Sequence, residues 1–266
     1  MNARSGILIA ALLVATPAWA QNSPASPPAA APAAVADAMP ALPKVPWSFD
    51  GPFGTFDRAA LQRGFQIYSE VCSNCHSMNL LSYRDLSALG YTEDQIKAIA
   101  AQKEVTDGPN DQGQMFQRPA LPADHFVAPF ANEKAARAAN NGALPPDLSV
   151  IIKARDGGAD YVHGILTGFT APPAGFPMSD NMQYDMYFPG HQIAMSPPLA
   201  DNTVSFADGT QPLLDEEARD VATFLTWASE PTMEERKRTG AKVVIFLLAM
   251  TGVLYGAKRR VWSKLH

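Results

Sequence analysis

The only two cysteines of this chain share one short motif with a histidine directly after it: Cys72-Ser-Asn-Cys75-His76. C-x-x-C-H has one dominant chemical use, the covalent attachment of haem. Each thiol can add to one haem vinyl group, the two intervening residues match the spacing of those vinyls, and the adjacent imidazole falls beneath the iron as a ligand. Two other uses of paired cysteines fit less well. A thioredoxin-like redox pair follows a strand and opens a helix, whereas this motif ends a helical pattern. A structural zinc site needs four ligands, and no other cysteine exists to partner the pair. A disulfide-stapled fold is excluded by the same count.

Haem iron takes a second axial ligand or keeps an open site. After the motif the body offers Met78, Met115, Met178, Met182, Met186 and Met195, with His125, His163 and His191. Met78 is too near His76 to reach the opposite haem face. Met115, Met178, Met182 and Met186 lie in irregular stretches where a methionine serves equally well as packing. Met195 precedes Ser196-Pro197-Pro198, and consecutive prolines stiffen a loop that could press across a haem face. Met195 is the preferred ligand, with another methionine or a histidine as the alternative. No H-E-x-x-H, G-x-S-x-G or phosphate-binding loop is visible, and nothing organises the carboxylates into an acid/base pair. One-electron chemistry is the leading reading; a haem enzyme or gas sensor with an open axial site is the alternative.

Two helices have to position such a haem. Asp57 can cap a helix whose apolar residues Leu61, Phe65, Tyr68 and Cys72 recur at helical spacing. Gly64 lies inside it, a costly residue unless another backbone packs close. Late in the chain Asp215-Glu216-Glu217 opens a second helix through Val221, Phe224, Leu225 and Ala228, ending near Glu230-Pro231. A first helix carrying Gly-Phe and a last helix carrying aromatics make the crossed pair of a cytochrome c fold.

The remaining sequence reads as membrane export and anchoring. With 266 residues, 47% hydrophobic and 18% charged, the chain is neither a disordered polymer nor a many-span membrane protein. Arg4, the apolar run 6–15 and Ala18-Trp19-Ala20 form a cleavable signal peptide over residues 1–20. A Pro/Ala-rich stretch over 21–46 reads as an extended, mobile leader. Residues 47–232 form the haem domain, 233–258 the transmembrane anchor helix with the residues that lead into it, and 259–266 a cytoplasmic tail. The uncharged run 243–257, at about 1.5 Å per residue, falls short of a hydrocarbon core of roughly 30 Å. Snorkelling Lys242 and Lys258, with Tyr255 and Trp262 near an interface, close most of that gap. These ends place the chain in a bacterial inner membrane as a single-pass protein, with its haem domain in the periplasm and its C-terminus in the cytoplasm. The net charge of −5 divides unevenly: residues 21–233 carry an acidic excess of 12, and residues 234–266 a basic excess of 6. An acidic body speaks against nucleic acid and for a basic protein partner.

Six ordered stretches go further: GPFGTFDRAALQRGFQIYSEVCSNCHSM at 51–78, FQRPA at 116–120, ANEKAARAANNGALPPDLSVIIKARDGGADYV at 131–162, YFPGHQIAMSPPL at 187–199, DVATFLTWASEP at 220–231 and ERKRTGAK at 235–242. Over nearly all of residues 49–266 the chain resembles the cytochrome c1 family, the haem c subunits of the cytochrome bc1 complex (quinol:cytochrome c oxidoreductase). The resemblance implies a mainly α fold, a cytochrome c-like haem domain with long irregular insertions and one C-terminal transmembrane helix. It implies one covalent haem c on Cys72 and Cys75, His76 and Met195 as axial ligands, and Arg118 paired with a haem propionate. It further implies electrons arriving from the Rieske iron–sulfur protein and leaving to a cytochrome c, with cytochrome b as membrane neighbour in a dimeric complex. A membrane-anchored c-type cytochrome of another respiratory complex is the nearest alternative. The sequence departs from the family at Ser196, where Ala or Pro is frequent, and over 163–186, which has no close match.

Overall fold

The computed structural model describes residues 39–264. The expected signal peptide and most of the expected leader lie outside them. Helix α1 (Arg58–Glu70) starts at Asp57, whose carboxylate accepts the backbone N–H groups of Ala59 and Ala60. That cap satisfies donors which otherwise have no partner in the first turn. Helix α5 (Leu214–Ser229) buries Val221, Phe224, Leu225, Trp227 and Ala228 against α1. The two helices cross at Gly64. A Cβ there would lie 2.1 Å from the Asp220 carbonyl oxygen and 2.7 Å from the Phe224 Cβ, so only glycine lets the backbones meet. Beside the crossing, Phe65, Tyr68 and Phe224 form an aromatic cluster with Phe126. The crossed pair expected from the sequence is the centre of the fold.

The long connection between these helices is less irregular than its composition implies. It holds helices α2 (Glu93–Ala100), α3 (Glu133–Ala139) and α4 (Gly158–Thr167). It also holds two small antiparallel ladders, β1 (Glu104–Asp107) on β2 (Phe116–Pro119) and β3 (Gln183–Tyr184) on β4 (Gln192–Ile193). Helix α4 packs on α5, and His163 within it is buried, with Nε2 2.9 Å from the Asp215 carboxylate.

The packed body extends past both expected boundaries. Upstream of residue 47, Val45 is buried, and its N–H, the Trp47 indole N–H and the Lys44 ammonium all donate to Asp160 on α4. Downstream of residue 232, helix α6 (Met233–Trp262) buries Met233 in the same core. Its next residues grip the start of α1 and the segment before it. Glu234 accepts the Phe56 N–H and the Arg58 guanidinium, each at 2.8 Å, while Lys237 Nζ donates to the carbonyls of Phe49 at 2.6 Å and Gly54 at 3.1 Å. Beyond that clamp α6 runs on without a break. Its 30 residues span about 45 Å, and its apolar stretch is unburied, long and apolar enough to cross a membrane.

Candidate haem site

Helix α1 stops one residue before the cysteines. The chain then tightens into a 3₁₀ turn, Cys72–Asn74, in which the Cys75 and His76 N–H groups both donate to the Cys72 carbonyl at 3.1 and 2.9 Å. Ser73 and Asn74 bond back to the last carbonyls of α1. Both thiols and the imidazole are thereby carried on one turn at the end of a core helix. Cys72 packs against the core and burial pushes its thiol up to about 12, whereas Cys75 is exposed.

His76 is oriented by residues far along the chain. Its Nδ1 lies 2.8 Å from the Pro146 carbonyl oxygen, which can only accept, so Nδ1 is the protonated nitrogen and Nε2 keeps its lone pair. Burial also lowers the imidazole pKa, against the Pro146 bond and the nearby Asp147 charge, and so favours the neutral form that binds a metal. This is the usual second-shell arrangement of a ligating histidine.

The Pro146 loop is itself fixed. Asp147 accepts the Ser77 hydroxyl and the backbone N–H groups of Asn79 and Ser149 at 2.8–2.9 Å, and the Leu148 N–H donates to the Ser77 carbonyl. Burial opposes ionisation of Asp147, but these donors outweigh it and hold its carboxyl below the ordinary range. Two thiols on one turn, an imidazole with its free nitrogen specified and a rigid second shell fit a covalently held haem. Among the described residues, no three His, Cys, Asp or Glu side chains gather as a metal cluster would require.

Of the other two sequence-expected site residues, Arg118 sits on a ladder and Met195 just past one. Met195 is half-buried in the irregular stretch leaving β4. That hairpin hangs from the end of α4 through the Thr170 N–H to the Tyr184 carbonyl and the Met186 N–H to the Gly168 carbonyl. Its turn is organised by fully buried Asp185, whose Oδ1 accepts the Tyr187 and Phe188 N–H groups at 2.8 and 2.9 Å. Some competing ligands have other placements: Met78 is fully buried in the core, Met115 and His125 are exposed, His163 is engaged with Asp215, and His191 stacks on Tyr184. Met178, Met182 and Met186, by contrast, are half-buried in or beside the same hairpin as Met195. Arg118 lies on β2 between two carboxylates. Its Nε donates to Asp107, and its Nη1 and Nη2 grip Asp124 at 2.6 and 3.0 Å, which draws the Asp124 carboxyl down to about 2. A further Nη1 bond reaches the Pro119 carbonyl, leaving one N–H for an outside acceptor.

Pro146, Asp147 and Asp185 are not recognisable as site residues by spacing. The first two stand in the quoted LPPDLS stretch, and their role depends on a contact made 70 positions from the motif. Asp185 falls in the unmatched segment.

Comparison with known proteins shows the family. Residues 47–265 match the Cytochrome C1 family. The chain is 46% identical over 237 residues to cytochrome c1 of Rhodospirillum rubrum, covering 83% of this chain and 87% of that one. It is 49% identical over 224 residues to a mitochondrial cytochrome c1 heme protein of Arabidopsis thaliana, covering 84% and 73% respectively. It also matches the protein named cytochrome b/c1 of Bradyrhizobium diazoefficiens at 45% identity over 242 residues, 83% of this chain and 35% of that one. With a family match across almost the whole described chain and the haem-type turn at its centre, this protein belongs to the cytochrome c1 family, the haem-bearing electron-carrier subunits of the cytochrome bc1 complex.

Proposed function

We propose that the chain carries single electrons from the Rieske iron–sulfur protein to a basic cytochrome c within quinol:cytochrome c oxidoreductase. Haem c, held by thioethers from Cys72 and Cys75, ligated by His76 and Met195 and met at a propionate by Arg118, supplies the one-electron couple when bound. The chain's own work is to hold that group still. The Pro146 carbonyl sets the His76 tautomer, Asp147 fixes Pro146, and Asp185 shapes the hairpin that bears Met195. No substrate bond is made or broken by this subunit.

The observation that carries the reading is the His76–Pro146 bond beside the two cysteines, because it leaves one imidazole nitrogen as an acceptor with nothing else assigned to it. The body's acidic excess of 12 supports a basic acceptor through complementary charge. Cytochrome b as membrane neighbour is supported by the relative whose name joins cytochrome b with c1. We place the haem domain in the periplasm and the end of α6 in the cytoplasm of a bacterium, after cleavage before Gln21. The basis is the signal-like N-terminus together with the apolar helix α6.

Denaturing gel electrophoresis with haem staining tests the attachment. Haem should migrate with the full chain and be lost from the Cys72→Ser/Cys75→Ser double variant. Haem that dissociates from the native chain on denaturation would overturn the thioether reading. A reduced spectrum altered by carbon monoxide would favour the open-site alternative.

A further inference from the structure

The clamp between α6 and the segment before α1 has a direction. Glu234, at the start of α6, holds Phe56 and Arg58, while Lys237, about one turn further toward the apolar stretch, holds Gly54 and Phe49. Moving backward from Phe56 to Gly54 therefore moves along α6 toward the membrane. The turn that joins Phe49 to Gly54 is held at both ends by the Lys237 ammonium. Lys237 stands six residues before Val243, roughly 9 Å from the apolar run. The headgroup layer is about 5–7 Å thick on each side, so the turn is tethered within a few ångströms of that layer.

The tip is Gly51-Pro52-Phe53, all exposed, and Phe53 is 84% exposed, the most exposed large apolar side chain among the described residues. A lone apolar side chain on a surface needs no explanation; this one is held on a rigid support. The Asp50 N–H donates to the Trp47 carbonyl and the Thr55 N–H to the Ser48 carbonyl. At the turn's base a Cβ on Gly54 would meet the Asp50 carbonyl oxygen at 2.0 Å, so the two strands of the turn are closed backbone to backbone. Asp50 at that base is a charge that limits insertion to the headgroup level, and Arg238 on the adjacent helix adds a cation for lipid phosphates.

We infer that the Gly51–Phe53 turn is a second membrane contact, with Phe53 seated in the headgroup–acyl boundary of the bilayer that α6 crosses. The inference rests on α6 being a membrane anchor. Its consequence is a haem domain fixed in height and tilt by two points rather than swinging from one helix.

Nitroxide labelling of the full-length chain in lipid nanodiscs of phosphatidylethanolamine and phosphatidylglycerol tests it. With both native cysteines committed to haem, Phe53→Cys supplies one free thiol, and the parent chain should take up no label. The ratio of collisional relaxation by oxygen to that by a water-soluble nickel chelate should be several-fold higher at Phe53→Cys than at the exposed control Gln112→Cys. Leu248→Cys, in the middle of the apolar run, should be higher still. A ratio at position 53 equal to that at 112, with 248 still lipid-exposed, overturns the second contact and leaves the anchor standing. If 248 is aqueous as well, the anchor reading fails. Shielding of position 53 from both relaxants would assign the turn to a protein neighbour and also overturn the lipid contact.

Discussion

The Asp220 carbonyl oxygen occupies the space where a side chain on residue 64 would begin, 2.1 Å from the position of a Gly64 Cβ. Arg63, the neighbour of that glycine, donates through Nε and Nη2 to the Asp220 carboxylate at 2.6 and 3.0 Å, and through Nη1 to Asp208. The crossing is therefore fixed by a close backbone approach and, beside it, by a half-shielded ion pair. Gly64→Ala should destabilise the haem-loaded domain by about 1–3 kcal/mol, at the upper end because the obstructing atom is backbone. Thermal unfolding followed at the haem absorption checks this, and an unchanged melting temperature would contradict the crossing.

Acid should release the loop behind His76 before it unfolds the core. The Asp147 carboxyl is held below its ordinary value in the folded protein, so its ionised form stabilises the fold above about pH 4. That contribution disappears as pH falls through the lower folded value. A spectral step at acidic pH, reporting a disturbed His76, is expected in the parent chain. Asp147→Asn should show the disturbed spectrum already near neutrality and a much smaller acid step.

Replacing Met195 by Leu should keep the volume of the loop and the covalent haem while removing the thioether. A thioether favours ferrous iron, so the reduction potential should fall and carbon monoxide should bind. Redox titration and the carbon monoxide difference spectrum read both effects. Met182→Leu and Met186→Leu, flanking β3, should change neither. The opposite pattern would move the ligand to one of them.

Arg118 and its carboxylates give a paired test. If Arg118 reaches a propionate with its remaining N–H, Arg118→Gln should lower the potential, and Asp124→Asn should raise it by removing a negative charge from the same cluster. Potentials unmoved in both variants would confine Arg118 to holding the β1–β2 hairpin together.

Where the chain is cut should matter more than its domain plan implies. Ending it after Thr232 removes Met233, which is 5% exposed, along with Glu234 and Lys237. Burial of such a methionine is worth about 1.5–3 kcal/mol. A chain ending after Lys242 should therefore melt measurably higher than one ending after Thr232, with the same haem content.

Local patterns made part of this structure legible. Asp57 as a cap, Gly64 as a close approach, the amphipathic face of α1 and the aromatic face of α5 are all short-range signals, and each is where it was expected. The ladders were not legible because strands of two to four residues are too short to display an alternation. The partner of His76 could not be read from spacing, since its carbonyl arrives from residue 146. The first turns of α6 read from sequence as the charged entry to the anchor. Their hold on the body is not legible there, because Glu234 and Lys237 are spent on backbone groups of 49–56 and on Arg58, 176 to 188 positions away. Lys44 and Val45 followed the same rule, drawn out of a Pro/Ala-rich stretch by the single carboxylate of Asp160.

The partners at the crossing, Arg63 and Asp220, are 157 residues apart in sequence. A chain is made from its N-terminus, so α1 exists for most of synthesis without the helix that covers Leu61, Phe65 and Tyr68. Contacts of such long range are slow to form, and uncovered apolar faces invite wrong associations in the meantime. The folding of this domain is thus governed by the late-made helix α5. Sequence changes in α5 should act on how quickly newly made chains mature, and changes in the middle of the chain mainly on how long mature ones last.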